Sequence, residues 1–299
     1  MDLHPERALA CRVQIGAWAP VIADVVDLLR CPHCAGGFVL DGRSVLCAQG
    51  HRFDIARDGH LTLMRRASRL RSDTASMVQA REAFLELGHY ARVAAAISGL
   101  VAESMDSTDG CVVDLGAGTG FYLSNVLDAI ASARGLAVDL SPHAARRAAR
   151  AHPRIASVVC DLTEGVPLID AGAAAVLSVF APRNASEIIR ILKPGGVCVV
   201  AVPDTGHLRE LREPLGMLDV GGAKVERLER TIGTTLRLHR AVTVHGEMIL
   251  DHDAMTAIVL MGPAAWHRTA ADVAGSVRAL PPEVRVTLSV EVRAYWSQV

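Results

Sequence analysis

Val112-Val113-Asp114-Leu115-Gly116-Ala117-Gly118-Thr119-Gly120 is an apolar strand that runs straight into three glycines at alternate positions, with a helical pattern behind them. A backbone that passes close under a nucleotide needs residues without Cβ at the turn, and the amides of the following helix start suit polar ligand groups. The stretch predicts a nucleotide cradle at the carboxyl end of a strand. Its glycines fall as G-x-G-x-G, with Asp114 two residues before the first, and not as the G-x-G-x-x-G of dinucleotide folds.

Working outward, Gly135-Leu136-Ala137-Val138-Asp139-Leu140 reads as a second strand ending in an acid, at the distance where a carboxylate takes ribose hydroxyls. Ser157-Val158-Val159-Cys160-Asp161-Leu162 is a third strand with the same ending. This glycine spacing with three acids at three strand ends resembles the S-adenosylmethionine site of class I methyltransferases, in which Asp161 would lie where adenine is held. Strand and helix patterns alternate onward: strands near 111–115, 135–139, 156–160, 173–180 and 196–202, with helices near 120–133, 142–152 and 184–192. Lys193-Pro194-Gly195-Gly196 reads as a turn, and residues 234–249 and 284–296 alternate as an antiparallel pair around a helix near 251–260. The expected fold is α/β, Rossmann-like, with a mostly parallel seven-stranded sheet.

Ligands of open α/β sheets collect at the carboxyl ends of strands. The fourth strand ends there in Phe180-Ala181-Pro182-Arg183-Asn184. Phe180 can stack on a flat base, Pro182 stiffens the turn, and Arg183 or Asn184 can bond a base edge. The fifth strand is followed by Pro203-Asp204-Thr205-Gly206-His207.

Upstream, Cys31-Pro32-His33-Cys34 and Cys47-Ala48-Gln49-Gly50-His51 give the spacing C-x2-C-x12-C-x3-H. Two such turns bring four ligands onto one structural Zn²⁺, a closed set with no position for water and hence a folding role. His33 is the less suitable fourth ligand. Residues 30–71 hold eight arginines against Asp41, Asp54 and Asp58, so Arg65, Arg66, Arg69 and Arg71 offer a strip for phosphates or a solvated linker. Arg146, Arg147, Arg150 and Arg154 form a second basic face at helical spacing, read as solvated. Residues 75–105 read as helical with a break at Gly88-His89-Tyr90, and residues 1–28 as an extension ending in an amphipathic helix. The expected domains are therefore 1–28, a zinc module at 29–71 and the nucleotide domain at 72–299.

The 299 residues are 51% hydrophobic and 21% charged, enough for a sizeable core. A net charge of −1 leaves nucleic-acid contact to local patches. No apolar run reaches the roughly 18 residues of a membrane span, and seven cysteines, an odd number, suit thiolate ligands in a reducing compartment. A cytoplasmic protein without membrane contact is expected.

Taken together, the zinc quartet, His51-Arg52-Phe53-Asp54, Ala80-Arg81 with Phe84-Leu85, Gly88-His89-Tyr90, the glycine loop, Phe180 to Asn184, His207-Leu208 and Met261-Gly262-Pro263 with Trp266 resemble the bacterial 23S rRNA guanine-N1 methyltransferases. The likeness runs from Leu29 to the C-terminus and is nearest to the actinobacterial tylosin-resistance subgroup. It implies zinc on Cys31, Cys34, Cys47 and His51. Tyr90, Asp114, Gly116, Gly118, Thr119, Gly120, Phe121, Asp139, Asp161 and His207 would then surround S-adenosylmethionine. It further implies a homodimer, and a target guanine in a domain II hairpin of 23S rRNA or of a ribosomal particle. Phe180, Pro182, Asn184 and the four arginines at 65, 66, 69 and 71 are the substrate-binding candidates. Asp204 as base and Arg183 as charge partner are the catalytic ones. Two other readings stand beside this one: a methyltransferase of small molecules, and a zinc-stabilised RNA-binding protein without activity.

Overall fold

The computed structural model describes residues 19–105, 110–217 and 224–297; most of the expected extension lies outside them. A short helix α1 (Ala19–Ala23) leads to β1 (Phe38–Asp41), β2 (Ser44–Cys47) and β3 (Arg52–Asp54), a three-stranded antiparallel sheet, and then to β4 (His60–Thr62). Two helices follow, α2 (Ala75–Glu86) and α3 (Ala91–Ser104), separated at the expected break, where Gly88 takes φ +77°. Next come β5 (Cys111–Leu115), α4 (Phe121–Ala129), β6 (Arg134–Asp139), α5 (Pro142–Ala151), β7 (Ile155–Val159), β8 (Ala173–Val179), α6 (Ala185–Ile191) and β9 (Leu192–Pro203). The chain closes with α7 (Arg209–Arg212), α8 (Lys224–Thr231), β10 (Leu236–Asp251), α9 (His252–Leu260), α10 (Ala270–Arg278) and β11 (Glu283–Ser297).

Side-chain oxygens set several helix starts. Thr74, Ser141, Asn184, Asp251 and Thr269 each accept from a backbone N–H of the first turn of α2, α5, α6, α9 and α10, satisfying donors that have no partner within the helix. Strand pairing follows the apolar alternation. Val112 and Ala137 face one layer, with α3, α4 and α9; Val113, Leu136 and Val158 face the other.

The main sheet has the order β10-β11-β9-β8-β5-β6-β7-β4, parallel from β9 to β4 and antiparallel across β9, β11 and β10. It holds eight strands, where the sequence pattern predicts seven. The added strand is β4, which lies in the stretch assigned to the zinc module and pairs parallel with β7, with Leu63 N–H donating to Val159 O at 2.9 Å. Leu28, Leu29, Phe38, Val45, Ile55 and Leu61 share one continuous core with Val113, Val158 and Val176. The boundary expected at residue 71 is thus not a break in packing. Lys193 to Gly196, expected as a turn, falls within β9, with an irregularity opposite Ala173 to Ala175.

The second basic face is engaged within the protein. Arg146 and Arg150 pair with Asp58, Arg147 pairs with Glu82, and Arg154 donates to the carbonyls of Leu127, Ile130 and Ala133 at the end of α4.

Candidate functional site

Cys31, Cys34, Cys47 and His51 converge at one point. Cys34 Sγ lies 3.5 Å from Cys47 Sγ, and His51 Nδ1 lies 3.3 Å from Cys47 Sγ and 3.6 Å from Cys31 Sγ. All four ligand atoms fall within 4.8 Å of one another. Bond lengths of about 2.3 Å to sulfur and about 2.0 Å to nitrogen make tetrahedron edges of roughly 3.4–3.8 Å, so the set fits one shared Zn²⁺. His33 is not part of it; its ring stacks on His51 at 5.0 Å and on Phe53 at 5.9 Å, fixing the plane of the ligating imidazole.

A cavity of about 630 Å³ opens at the carboxyl ends of the parallel strands. Asp114, Asp139 and Asp161 all line it, at the ends of β5, β6 and β7. Asp139 accepts from Gly118 N–H and Ser141 N–H, both at 2.8 Å, which ties the glycine turn to the start of α5. Burial raises the Asp139 pKa, and these two amides oppose the rise. Asp161 is also pushed up by burial, but hydrogen bonds from Ser68 Oγ at 2.5 Å and from Thr163 outweigh that and hold it below the usual carboxylate range.

Asp114 is different in kind. Its side chain is buried, and neither carboxylate oxygen has a hydrogen-bond partner among the described residues. Burial, with the Asp139 charge nearby, lifts its pKa to about 7. A buried carboxylate left this way calls for a cationic donor from the cavity side. S-adenosylmethionine, with two ribose hydroxyls, an adenine edge and an ammonium, has donors of the kind that three acids along this wall can accept from.

Gly116 and Gly120 serve closeness rather than ligand contact alone. A Cβ on Gly116 would fall 2.6 Å from Ala181 Cβ, so β5 and the loop after β8 touch at the cavity floor. Gly120 does not line the cavity; it packs α4 on α5, where a Cβ would meet Ala148 Cα at 3.1 Å. Both have positive φ, +78° and +81°.

At the β8 and β9 end the lining turns aromatic. Tyr90, Tyr122, Phe180 and His207 lie with ring centroids 5.8–6.4 Å apart in successive pairs. Phe180 adopts φ +54°, a left-handed conformation costly for a side chain of this size, and stays 39% exposed at the rim. Ser289 N–H donates to His207 Nδ1 at 3.3 Å. The imidazole proton therefore sits on Nε2, which donates to Tyr90 Oη at 2.9 Å. The Tyr90 hydroxyl proton is left for an acceptor elsewhere, and burial keeps the phenol neutral by raising its pKa.

Other sequence candidates fall elsewhere. Asn184 caps α6 and donates to Leu162 O. Asp204 is exposed and outside the cavity lining; a backbone bond from Thr205 and a bond from Ser289 Oγ hold its pKa low. Arg183 also lies off the cavity, close enough to the buried Cys198 to oppose the burial-driven rise of its pKa. The strip arginines diverge. Arg66 pairs with Glu164, Arg71 sits over the Trp266 ring at 5.8 Å at the cavity mouth, and Arg65 and Arg69 are exposed. Ser68 and Asp73, which sequence reasoning passed over, and Arg81, Met261 and Trp266, which it quoted for the family resemblance without a role, lie against the cavity or its acids. Their common signal is position on either side of the sheet, joined only by folding.

Two family models match the chain, one described as a methyltransferase domain over residues 112–196, the other as RlmA, N-terminal, over residues 29–66. Over 268 residues the chain is 43% identical to the 23S rRNA (guanine(748)-N(1))-methyltransferase of Streptomyces fradiae, spanning 89% of this chain and 96% of that relative. It is 39% identical over 289 residues, 91% of this chain and 98% of the other, to a Micromonospora griseorubida protein provisionally named a 23S rRNA (guanine-N(1)-)-methyltransferase. Among solved structures it shares its fold with a chain from the complex of the Haloferax volcanii Trm112 methyltransferase activator and a protein classed as a methyltransferase. The TM-score is 0.50 at 22% identity, over 77% of this chain and all of that one.

Proposed function

This chain belongs to the 23S rRNA (guanine-N1)-methyltransferases, and from that membership we propose that it methylates ring nitrogen 1 of a guanine in a domain II hairpin of 23S rRNA, at the 748-type position of its Streptomyces relative. The observation that carries this reading is the Cys3His cluster and the acid-lined cavity in one continuous core, joined by a basic linker. A methyltransferase of small molecules would have no use for the basic linker, and membership of the rRNA family does not favour that reading.

S-adenosylmethionine supplies an electrophilic methyl on a sulfonium. In this reading Asp161 and Thr163 face its adenine, Asp139 its ribose, and Asp114 its ammonium, while Gly116, Gly118, Thr119 and Phe121 form the floor. That order runs from β7 to β5 and leaves the methyl end toward β8 and β9. There Phe180 and Pro182 present a face for a flipped guanine, and Tyr90, oriented by His207, donates its hydroxyl proton to an acceptor in the cavity. Holding nitrogen 1 in line with the methyl is the main contribution of these side chains.

The nitrogen 1 proton must leave. Asp204 lies outside the cavity lining with its pKa held low, so this reading passes the proton to water rather than to Asp204. Asp204→Asn is expected to hold the single-turnover rate within about two-fold of wild type, where loss of a general base would cost about 100-fold or more.

The same reading places the protein in the cytoplasm, protecting ribosomes against tylosin-type macrolides. No helix among the described residues is long and apolar enough to cross a membrane. It also makes the protein a homodimer. The 16-residue β10 is the outer strand of the sheet, and Leu238, Ile249 and Trp296 are exposed on it and on its neighbour. The test of function is primer extension with mass spectrometry across domain II of 23S rRNA, from cells with and without the protein. A methyl on guanine nitrogen 1 blocks pairing, so a protein-dependent stop at one loop guanine is expected. No stop, with S-adenosylmethionine still bound by the pure protein, would overturn the rRNA assignment.

A further inference from the structure

The cavity is lined by four carboxylates, Asp73, Asp114, Asp139 and Asp161, and by two guanidiniums, Arg71 and Arg81. An amino-acid ligand part carries both an ammonium and a carboxylate, and the carboxylate needs a cation. Arg71 lies exposed over Trp266 at the mouth. Arg81 lies inside. Its Nη1 and Cδ would stand 3.1 and 3.4 Å from a Cβ on Gly118, so its side chain is laid directly across the glycine turn. Its charge is also felt at Tyr122 and Asp139, which places it between the ribose acid and the aromatic end.

Arg81 is held there from two sides. Its Nη1 pairs with Asp73 Oδ2 at 2.6 Å and its Nη2 donates to Met261 O at 2.9 Å. Asp73 is in turn anchored through its carbonyl, which accepts from Ser141 Oγ at 2.6 Å, beside the amide that Asp139 fixes. A guanidinium has five N–H donors in a planar fork. These two acceptors, both at the cavity wall, orient the plane and occupy two of the five donors, leaving others for a third acceptor in the cavity. The structural role open to Arg81 is to clamp α2 to the loop after α9; that role alone would not require its charge to cross the glycine turn.

Resting on the cofactor reading of the cavity, we propose that Arg81 binds the α-carboxylate of S-adenosylmethionine and that Asp73 is its positioning residue. The two ends of the zwitterion are then read by different elements. Asp114 on β5 takes the ammonium, and Arg81 on α2 takes the carboxylate. The linker after β4 thereby contributes, through Asp73, to cofactor selection.

The test is calorimetric titration of wild type, Arg81→Met and Arg81→Lys with S-adenosylmethionine and with its decarboxylated analogue, which lacks only the carboxylate. Wild type is expected to favour the intact cofactor by about 10- to 100-fold, the range for hydrogen bonds to a charged group. In R81M that ratio should fall toward one, chiefly by loss of affinity for the intact cofactor. In R81K it should be intermediate, since an ammonium keeps the charge and loses the fork. Should R81M bind neither ligand, the R81K ratio decides alone: a reduced ratio supports the assignment and an unchanged one overturns it. A wild-type ratio near one, or an R81M ratio equal to wild type, also overturns it. A wild type that binds neither ligand would instead refute the reading of the cavity itself.

Discussion

Asp114→Asn is expected to make the ligand-free protein more resistant to heat at pH 8 while weakening S-adenosylmethionine binding by about 100-fold or more, the usual loss when one partner of a buried charge pair is removed. The first effect comes from linkage. In the free protein burial raises the Asp114 pKa to about 7, well above that of the same group in the unfolded chain. Below about pH 4 both states carry the proton, and Asp114 contributes no pH dependence. Between there and pH 7 the unfolded state gives up its proton first and the folded state keeps it, so stability falls as pH rises, with a slope of up to about 1.4 kcal/mol per pH unit. Above pH 7 both are ionised and the loss is complete. Asparagine has nearly the same shape and no charge to bury, so its melting temperature should lack this component of the slope. Melting curves of both proteins from pH 5 to 8, with and without cofactor, measure it. Parallel curves for the two free proteins would mean that Asp114 is not a strained, uncompensated carboxylate.

Cys47→Ala should have the larger effect on folding. Zinc contributes on the order of 10 kcal/mol or more to small closed sites, and Cys47 bridges the two ligand turns at 3.5 Å from Cys34 and 3.3 Å from His51. The consequence should reach beyond the ribbon. Val45, Phe38 and Ile55 pack in the same core as Val113 and Val158, and the chain that leaves the ribbon supplies β4, then Ser68 on Asp161, then Leu70 to Asp73 along the cavity. Zinc content near zero, a melting temperature lower by about 10 °C or more, and weakened cofactor binding are expected together. Normal cofactor affinity in a zinc-free protein would show that the cavity wall stands without the ribbon.

Much of this was legible from local pattern. The glycine turn and the ligand quartet are each defined within about twenty residues, the acids at 114, 139 and 161 each close a short apolar strand, and chemistry constrains their spacing. What escaped was set by tertiary placement. β4 is three residues long, His60-Leu61-Thr62, too short for a period to show. Asn184 looks like a base reader and is a helix cap, because the same amide serves either purpose and only the start of α6 decides. Asp204 follows a strand whose end borders the cavity, yet its side chain turns outward to Ser289. Arg81 stood in the sequence as part of a family motif with no role of its own, and only the fold, by laying α2 across the glycine turn, gives it one.

The pairing of β4 with β7 also bears on how such a protein can be dissected. An expression fragment starting at Ser72 would retain every cofactor acid, yet it would leave the hydrogen-bonding groups of β7 bare along one edge and uncover the apolar face on which Leu61 and Leu63 rest. Uncovered edges of that kind recruit other chains. The transferase portion cut free of its ribbon would be a template for aggregation, and the ribbon, besides any contact it makes with RNA, serves as the guard rail of the sheet.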